Sequence, residues 1–333
     1  MTSRATFLSF LIIPLLFVGS IIMTRSATWG IGPIVYTVIQ IIAGIGLYIF
    51  LGAIILGLCL IVANILHTPL PMFVSWFILT LSIVGALTGL IQSRFISVVT
   101  YEVSLPNAPS TWNGRTAVLV SDTHFGLVNY EKFSDKVVDA ILELKPDLVL
   151  HAGDFYDGPG INTAPLTASW QRLTHAIPVF MAPGNHEMYG AYTEFLDSLR
   201  AAGIVVLDDK KTEFDGVQIG GITYRSGADP IEATSAIRSL DIAASQASIL
   251  INHPPTSLTA AHDLGIDLQV SGHTHNGQFW PMTYLIRSIY GPQYYGHTLY
   301  KTLQTITTSG VGTFGPPFRL FNPPELVVIT FRN

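Results

Sequence analysis

Five short polar blocks in this 333-residue chain carry the residue types that hold metal ions and move protons. They are Asp122-Thr123-His124, Gly153-Asp154-Phe155-Tyr156-Asp157, Gly184-Asn185-His186-Glu187, Asn252-His253 and Gly272-His273-Thr274-His275. Carboxylate, amide and imidazole are hard to borderline donors, suited to Mn, Fe or Zn rather than to a soft copper site. Cys59 is the only cysteine and sits in an apolar run, which leaves no thiolate site and no disulfide framework. Any metal must therefore take O and N ligands. Glycine opens three of the blocks, permitting sharp turns and close backbone approach to an anion. A lone Asp-x-His or Gly-Asn-His is an ordinary loop. Five such blocks, each following an apolar run, are a constellation.

The elements that must position them alternate between short apolar runs and helical spacing. Arg115 to Val120 is an apolar run ending in Ser-Asp, and Tyr130 to Leu144 places apolar residues at helical intervals with charges between them. Asp147 to His151, Pro178 to Met181, Ser248 to Asn252 and Asp267 to Ser271 read as further strands. This is an α/β layout, whose functional groups gather at the carboxyl ends of strands, so the blocks converge on one rim. Leu303 to Thr308 and Leu326 to Phe331 read as late strands of a second sheet.

In order and spacing the blocks resemble the calcineurin-like metallophosphoesterase superfamily, whose pattern is D-x-H, G-D-x-x-D, G-N-H-[DE], H and G-H-x-H. The similarity extends to its membrane-associated bacterial phosphohydrolase branch over nearly all of 112–333. Residues Ser271 to Gln278, Gly310 to Gly312, and the tail from Pro317 through Arg319 to Pro323-Pro324-Glu325 match that branch. Asn276 departs from it, standing where the branch usually has glycine. The resemblance implies a four-layer αββα domain and two divalent metal ions. Asp122, His124 and His275 would bind one, Asn185, His253 and His273 the other, and Asp154 would bridge them. A hydroxide made at such a pair attacks phosphorus in line with the leaving oxygen. His186 would protonate the leaving group, and Asp157 would orient that imidazole.

The resemblance implies hydrolysis of a phosphodiester, phosphomonoester or pyrophosphate bond, on a membrane-derived or lipid-linked substrate; cleavage of a nucleotide-sugar lipid pyrophosphate is one reaction found among relatives. The alternative is a non-catalytic scaffold that recruits a protein partner. Scaffold members lose ligands or the acid histidine, and this chain keeps them all. His67 reads as interfacial, and His151, His175, His262 and His297 as packing or surface residues, although the Tyr- and Gly-rich stretch around His297 could fold near the metals. Phe279 to Met282 is either local core or an apolar wall facing a lipid-like substrate.

Composition divides the chain. Hydrophobic residues make up 49% and charged residues 12%, too apolar for an ordinary soluble enzyme. Met1 to Tyr101 holds Arg4, Arg25 and Arg94 and no carboxylate, which leaves 14 basic against 22 acidic residues from Glu102 onward. That acidic part, at about −8, is ill suited to gripping nucleic acid by its phosphates. Phe7 to Met23 reads as a first span, with a signal peptide as the other reading. Ile31 to Leu66 is either one long helix or two spans broken near Gly44 and Gly46. After the turn His67-Thr68-Pro69-Leu70-Pro71, Met72 to Gln92 supplies another span, in which Gly85 and Gly89 form a small-xxx-small pair. The spans have no Asp, Glu, Lys, Arg or His in their interior, which argues against a transport path.

The expected organisation is a membrane anchor of three or four helices over 1–96, an extended linker over 97–111 and a catalytic domain over 112–333. The arginine distribution favours a multi-pass protein of the bacterial inner membrane with its catalytic domain on the cytoplasmic face.

Overall fold

The computed structural model describes Gly19 and residues 31–332. Apart from Gly19, the expected first span Phe7 to Met23 lies outside the described residues. The next apolar run is one helix, α1 (Gly32–Ile65, 34 residues), about 51 Å long at 1.5 Å per residue. It does not break at Gly44 or Gly46. After Pro71 the chain returns as α2 (Met72–Gln92), and both helices are long and apolar enough to cross a membrane. They approach closely at Gly52, where a Cβ would lie 2.1 Å from the Ser82 Oγ. Only glycine allows that contact.

The rest of the chain, expected to be the catalytic part, runs β1 (Ser97–Ser104), β2 (Thr116–Val120), α3 (Glu131–Leu144), β3 (Leu148–His151), α4 (Ala164–Thr174), β4 (Val179–Met181), α5 (Asn185–Met188), α6 (Tyr192–Ala201), β5 (Val205–Val206), β6 (Lys210–Phe214) and β7 (Val217–Ile222). It continues with α7 (Tyr224–Ala228), α8 (Pro230–Ser239), β8 (Ser248–Asn252), α9 (Leu258–Asp263), β9 (Leu268–Ser271), α10 (Met282–Tyr290), β10 (Gly296–Tyr300), β11 (Leu303–Thr307) and β12 (Glu325–Arg332). Two six-stranded sheets result, ordered β1-β12-β2-β3-β4-β5 and β10-β11-β9-β8-β7-β6. Strands β2 to β5 are parallel, as are β7, β8, β9 and β11.

Side-chain alternation explains the layers. Ala117 and Leu119 of β2 join Leu148, Leu150, Ile249, Ile251 and Val270 in a core between the sheets. Their neighbours Val118, Val120 and Val149 face the other way, onto Val137, Val138 and Ile141 of α3 and Trp170 of α4. Leu250 of β8 faces Ala233 and Ile237 of α8. A period-2 strand, buried on both sides, thus yields helix, sheet, sheet, helix, the expected αββα order.

Two expectations change. Ser97 to Ser104 is extended but is no linker: as β1 it pairs in parallel with β12, from Ser97 beside Glu325 to Ser104 beside Arg332. The run 326–331 lies in β12, which belongs to the first sheet, antiparallel to β2, and not to the second. Apolar alternation marks a strand but does not say which sheet receives it.

Candidate metal centre

Each polar block leaves a strand at its carboxyl end: Asp122 and His124 after β2, Asp154 and Asp157 after β3, Asn185 and His186 after β4, His253 after β8, His273 and His275 after β9. The backbone is bent hard to aim them. Asp122, His124, Asp154, His273 and His275 all have positive φ, between 44° and 69°. Such conformations persist in non-glycine residues only where the surroundings impose them. Asn276 is also left-handed, at φ 49°, which explains how it can replace glycine: asparagine tolerates that region better than most residues. A Cβ on Gly184 would lie 2.1 Å from the Asp154 Oδ1, so this loop approaches the carboxylate as only glycine can.

Two donor groups form at the rim. In the first, His275 Nε2 lies 3.3 Å from Asp122 Oδ1 and 3.1 Å from His124 Nε2. In the second, Asp154, His253 and His273 present ligand atoms within 4.8 Å of one another. Asp154 Oδ2 faces both groups, 3.2 Å from His253 Nε2 and 3.8 Å from His124 Nε2. Asn185 Oδ1 is buried with no hydrogen-bond partner among the described residues, as befits an oxygen reserved for a cation. The His253 Nδ1 donates to the Ala152 carbonyl at 2.5 Å, which leaves Nε2 as its lone-pair nitrogen. The residues present therefore fit two divalent cations.

Electrostatics divide the donors: burial lowers His253 and His124, but the facing carboxylates outweigh it and push His253 up to about 9 and His124 above its ordinary value, so a cation must displace their protons. Burial favours the neutral form of Asp154, but the charge and hydrogen bond of His253, with His186 and His124, outweigh it and hold its carboxyl well below the usual range. Burial pushes His273 down to about 3 and His275 well below its ordinary value, aided by His253 and by Arg319 respectively. Both rings are thus kept neutral, the form that binds metal.

His186 and Asp157 lie beside the first group. The His186 ring stands edge-on to His124, with centroids 4.4 Å apart. Its Nδ1 donates to the main-chain carbonyl of Asp157 at 2.7 Å. The Asp157 carboxylate is 3.9 Å from that nitrogen but 3.3 Å from His124 Nδ1, so it faces His124 more closely than His186.

The remaining histidines fall outside the cluster. His151 is buried between Phe155 and Trp170 and accepts the Gly153 N–H. His297 packs on Tyr101, and His262 pairs with Asp263. From the stretch near His297 it is Tyr290 that reaches the site, its ring 6.0 Å from that of His273.

Two residues here went unassigned in the sequence. Glu187 is fully buried and accepts the backbone N–H groups of Asp154, Phe155, Tyr156 and Gly184 at 2.8–3.0 Å. Arg319 is fully buried too; it donates to the carbonyls of Ser309, Gly310, Gly312 and His275 and lies 3.1 Å from His275 Nδ1. The signal for Glu187 was its place in the Gly-Asn-His-Glu block. Arg319 carried none except its match to the branch's tail.

Comparison with known proteins agrees with this geometry. The model of the calcineurin-like phosphoesterase family matches residues 116–277. An uncharacterized metallophosphoesterase of Aquifex aeolicus is 30% identical over 264 residues, covering 75% of this chain and 97% of that one. One from Campylobacter jejuni is 28% identical over 239 residues, covering 71% of this chain, which spans 63% of that relative's length. A zebrafish protein described as a transmembrane protein with metallophosphoesterase domain is 27% identical over 274 residues, covering 77% of this chain and 62% of that one. With its two sheets, its rim of Asp, Asn and His donors and these relatives, the chain belongs to the calcineurin-like phosphoesterase family and is a metal-dependent phosphoesterase.

Proposed function

We propose that this chain hydrolyses a phosphodiester, phosphomonoester or pyrophosphate bond of a membrane-derived or lipid-linked substrate, from an anchor in the bacterial inner membrane with the catalytic domain on the cytoplasmic face. The observation that carries the catalytic reading is Asp154, one carboxylate facing both donor groups. Asp122, His124 and His275 would hold one cation and Asn185, His253 and His273 the other, with Asp154 available to both. Bound there, two divalent cations supply Lewis acidity, lowering the pKa of water and neutralising phosphate oxygens.

The chain's own residues do the rest. The Asp157 carboxylate, 3.9 Å from His186 Nδ1 and 3.3 Å from His124 Nδ1, orients the His186 ring by its charge and faces His124 as well. The main-chain carbonyl that accepts from His186 Nδ1 keeps the proton on that nitrogen, so Nε2 is the one that titrates. From Nε2 the proton passes to the leaving oxygen. The anchor reading is supported by α1 and α2, both long and apolar enough to span. The scaffold alternative loses ground because no donor is missing from the rim.

Metal content and turnover of two variants test the scheme together. Asp154→Asn should lose both metals and activity, because a neutral amide oxygen replaces the shared charge. His186→Ala should keep about two metals per chain yet lose on the order of 10² to 10⁴ in turnover, with a smaller deficit for leaving groups of low pKa. An emptied metal site in His186→Ala, or a deficit indifferent to the leaving group, would exclude His186 as the acid.

A further inference from the structure

Helix α10 is the only α-helix among the described residues of the catalytic part in which no residue is buried. Its inner side is spoken for. Thr283 Oγ1 donates to the Asn276 carbonyl and accepts from Asn322 Nδ2, and Tyr290 packs on His273. Its outer side is apolar and uncovered: Leu285 and Ile289, one turn apart, are 53% and 62% exposed, Tyr284 is 67% exposed, and Trp280, two residues before the helix, is 43% exposed. Two aliphatic and two aromatic side chains in one ridge make a patch that calls for an occupant.

Three observations say which. First, the ridge begins where the helical hairpin meets the domain. Phe279 packs on Tyr48 of α1 with centroids 6.0 Å apart, Trp280 N donates to the Leu320 carbonyl, and Arg319 N donates to the Gly89 carbonyl of α2. Second, two more exposed aromatic side chains flank the end of α2: Phe95 at 65%, and Phe321 at 71%, whose N–H bonds the Gln92 Oε1. Third, the charge is sorted. The part from Glu102 onward is acidic overall, yet the 57 residues 268–324 contain no carboxylate side chain, and α10 itself carries Arg287, exposed. Aromatic residues and a basic residue on an amphipathic helix suit the interface of an anionic bilayer.

We propose that α10 is an interfacial helix: Trp280, Tyr284, Leu285 and Ile289 seat in the headgroup region of the bilayer that α1 and α2 span, with Arg287 reaching lipid phosphates. This rests on the reading that the hairpin spans the membrane. Because Tyr290 and Thr283 on the inner side touch His273 and the Asn276 loop, the seated helix holds the metal centre at the level of lipid headgroups.

Spin labelling of the full-length protein tests it. With Cys59 replaced by alanine, a nitroxide is attached at Leu285→Cys, Ile289→Cys, Ile55→Cys or Glu213→Cys, all exposed positions, in nanodiscs of phosphatidylethanolamine and phosphatidylglycerol. Accessibility to oxygen is compared with accessibility to a water-soluble nickel complex. Labels at 285 and 289 should favour oxygen several-fold over the label at Glu213 on the far sheet edge, as should the label at Ile55 in α1. A lipid-exposed Ile55 with aqueous 285 and 289 would overturn the interfacial helix alone. An aqueous Ile55 would overturn the spanning hairpin and the interfacial helix with it. Labels at 285 and 289 shielded from both reagents would place a protein, such as a second copy of this chain, over the ridge and overturn it as well.

Discussion

At the scale of single residues, Glu187 shows how a side chain that touches no substrate can decide whether a metal site exists. Its two oxygens take four backbone N–H groups, three from the consecutive residues Asp154, Phe155 and Tyr156 and one from Gly184. Burial first, and then the charge of Asp154, pushes its carboxyl up to about 7. It holds the loop after β3 against the loop after β4, and so fixes where Asp154 points. Removing it strands buried donors, each costing about 1–3 kcal/mol when left unpaired. Glu187→Ala should therefore lower the melting temperature sharply and weaken metal binding, while Glu187→Gln, which keeps an acceptor oxygen, should do less of both. Thermal melting and metal titration of the two variants check this. A wild-type melting curve for the alanine variant would show that the loop is held by something else.

At the scale of elements, Gly44, Gly52 and Gly89 of the hairpin serve close approach and not flexibility. A Cβ on Gly44 would fall 2.1 Å from the Phe318 ring, and one on Gly89 would meet Leu320 at 3.4 Å. Gly44 sits inside an unbroken helix because the tail of the catalytic part presses against it there. The same tail carries Arg319, whose N–H bonds α2 while its guanidinium lies against His275. One short segment thus connects the hairpin to a proposed metal ligand. Gly44→Leu should wedge Phe318 away, and hydrogen exchange over residues 316–321 should accelerate while the centre of the sheets stays protected. Overpacking of this kind costs typically about 1–3 kcal/mol. Unchanged exchange in that segment would mean that the contact contributes little.

At the scale of the whole molecule, the hairpin and the catalytic part share a core. Phe318 and Leu320 are buried against Tyr48 and Ala86, with Ile41, Ile45, Leu90 and Phe279 packed around them. A fragment of residues 97–333 keeps every proposed ligand and begins at β1, so it should fold and bind two metals. It would also expose Phe318 and Leu320, each losing about 1.5–3 kcal/mol of burial. The fragment should therefore melt lower than the full chain in detergent and self-associate, and replacing both residues by serine should suppress the association. Equal melting temperatures would show that the shared core adds no stability to the catalytic part.

Much of the centre was legible in the sequence because its determinants are local. A donor residue directly after an apolar strand must emerge at the strand's end, and parallel strands bring those ends together wherever they lie in the chain. That is why the blocks holding Asp122, His124, Asp154, Asn185, His253, His273 and His275 could be expected on one rim, the ligand roles themselves coming from the family resemblance, and why two long charge-free runs could be named as helices. What the tertiary structure alone decided involves contacts between residues distant in sequence. Ser97 to Ser104 looks like a linker until β12, more than 200 residues later, pairs with it. The carboxylate of Asp157, expected to orient His186, lies 3.9 Å from it and 3.3 Å from His124, while the main-chain carbonyl of Asp157 takes the His186 Nδ1 proton. Arg319 and the bare ridge of α10 acquire meaning only once the tail has been laid between the hairpin and the metal centre. Strand ends are set by local pattern, but the partner of an edge strand, a buried guanidinium or an exposed helix face is set by which distant surfaces meet, and no spacing along the chain encodes that directly.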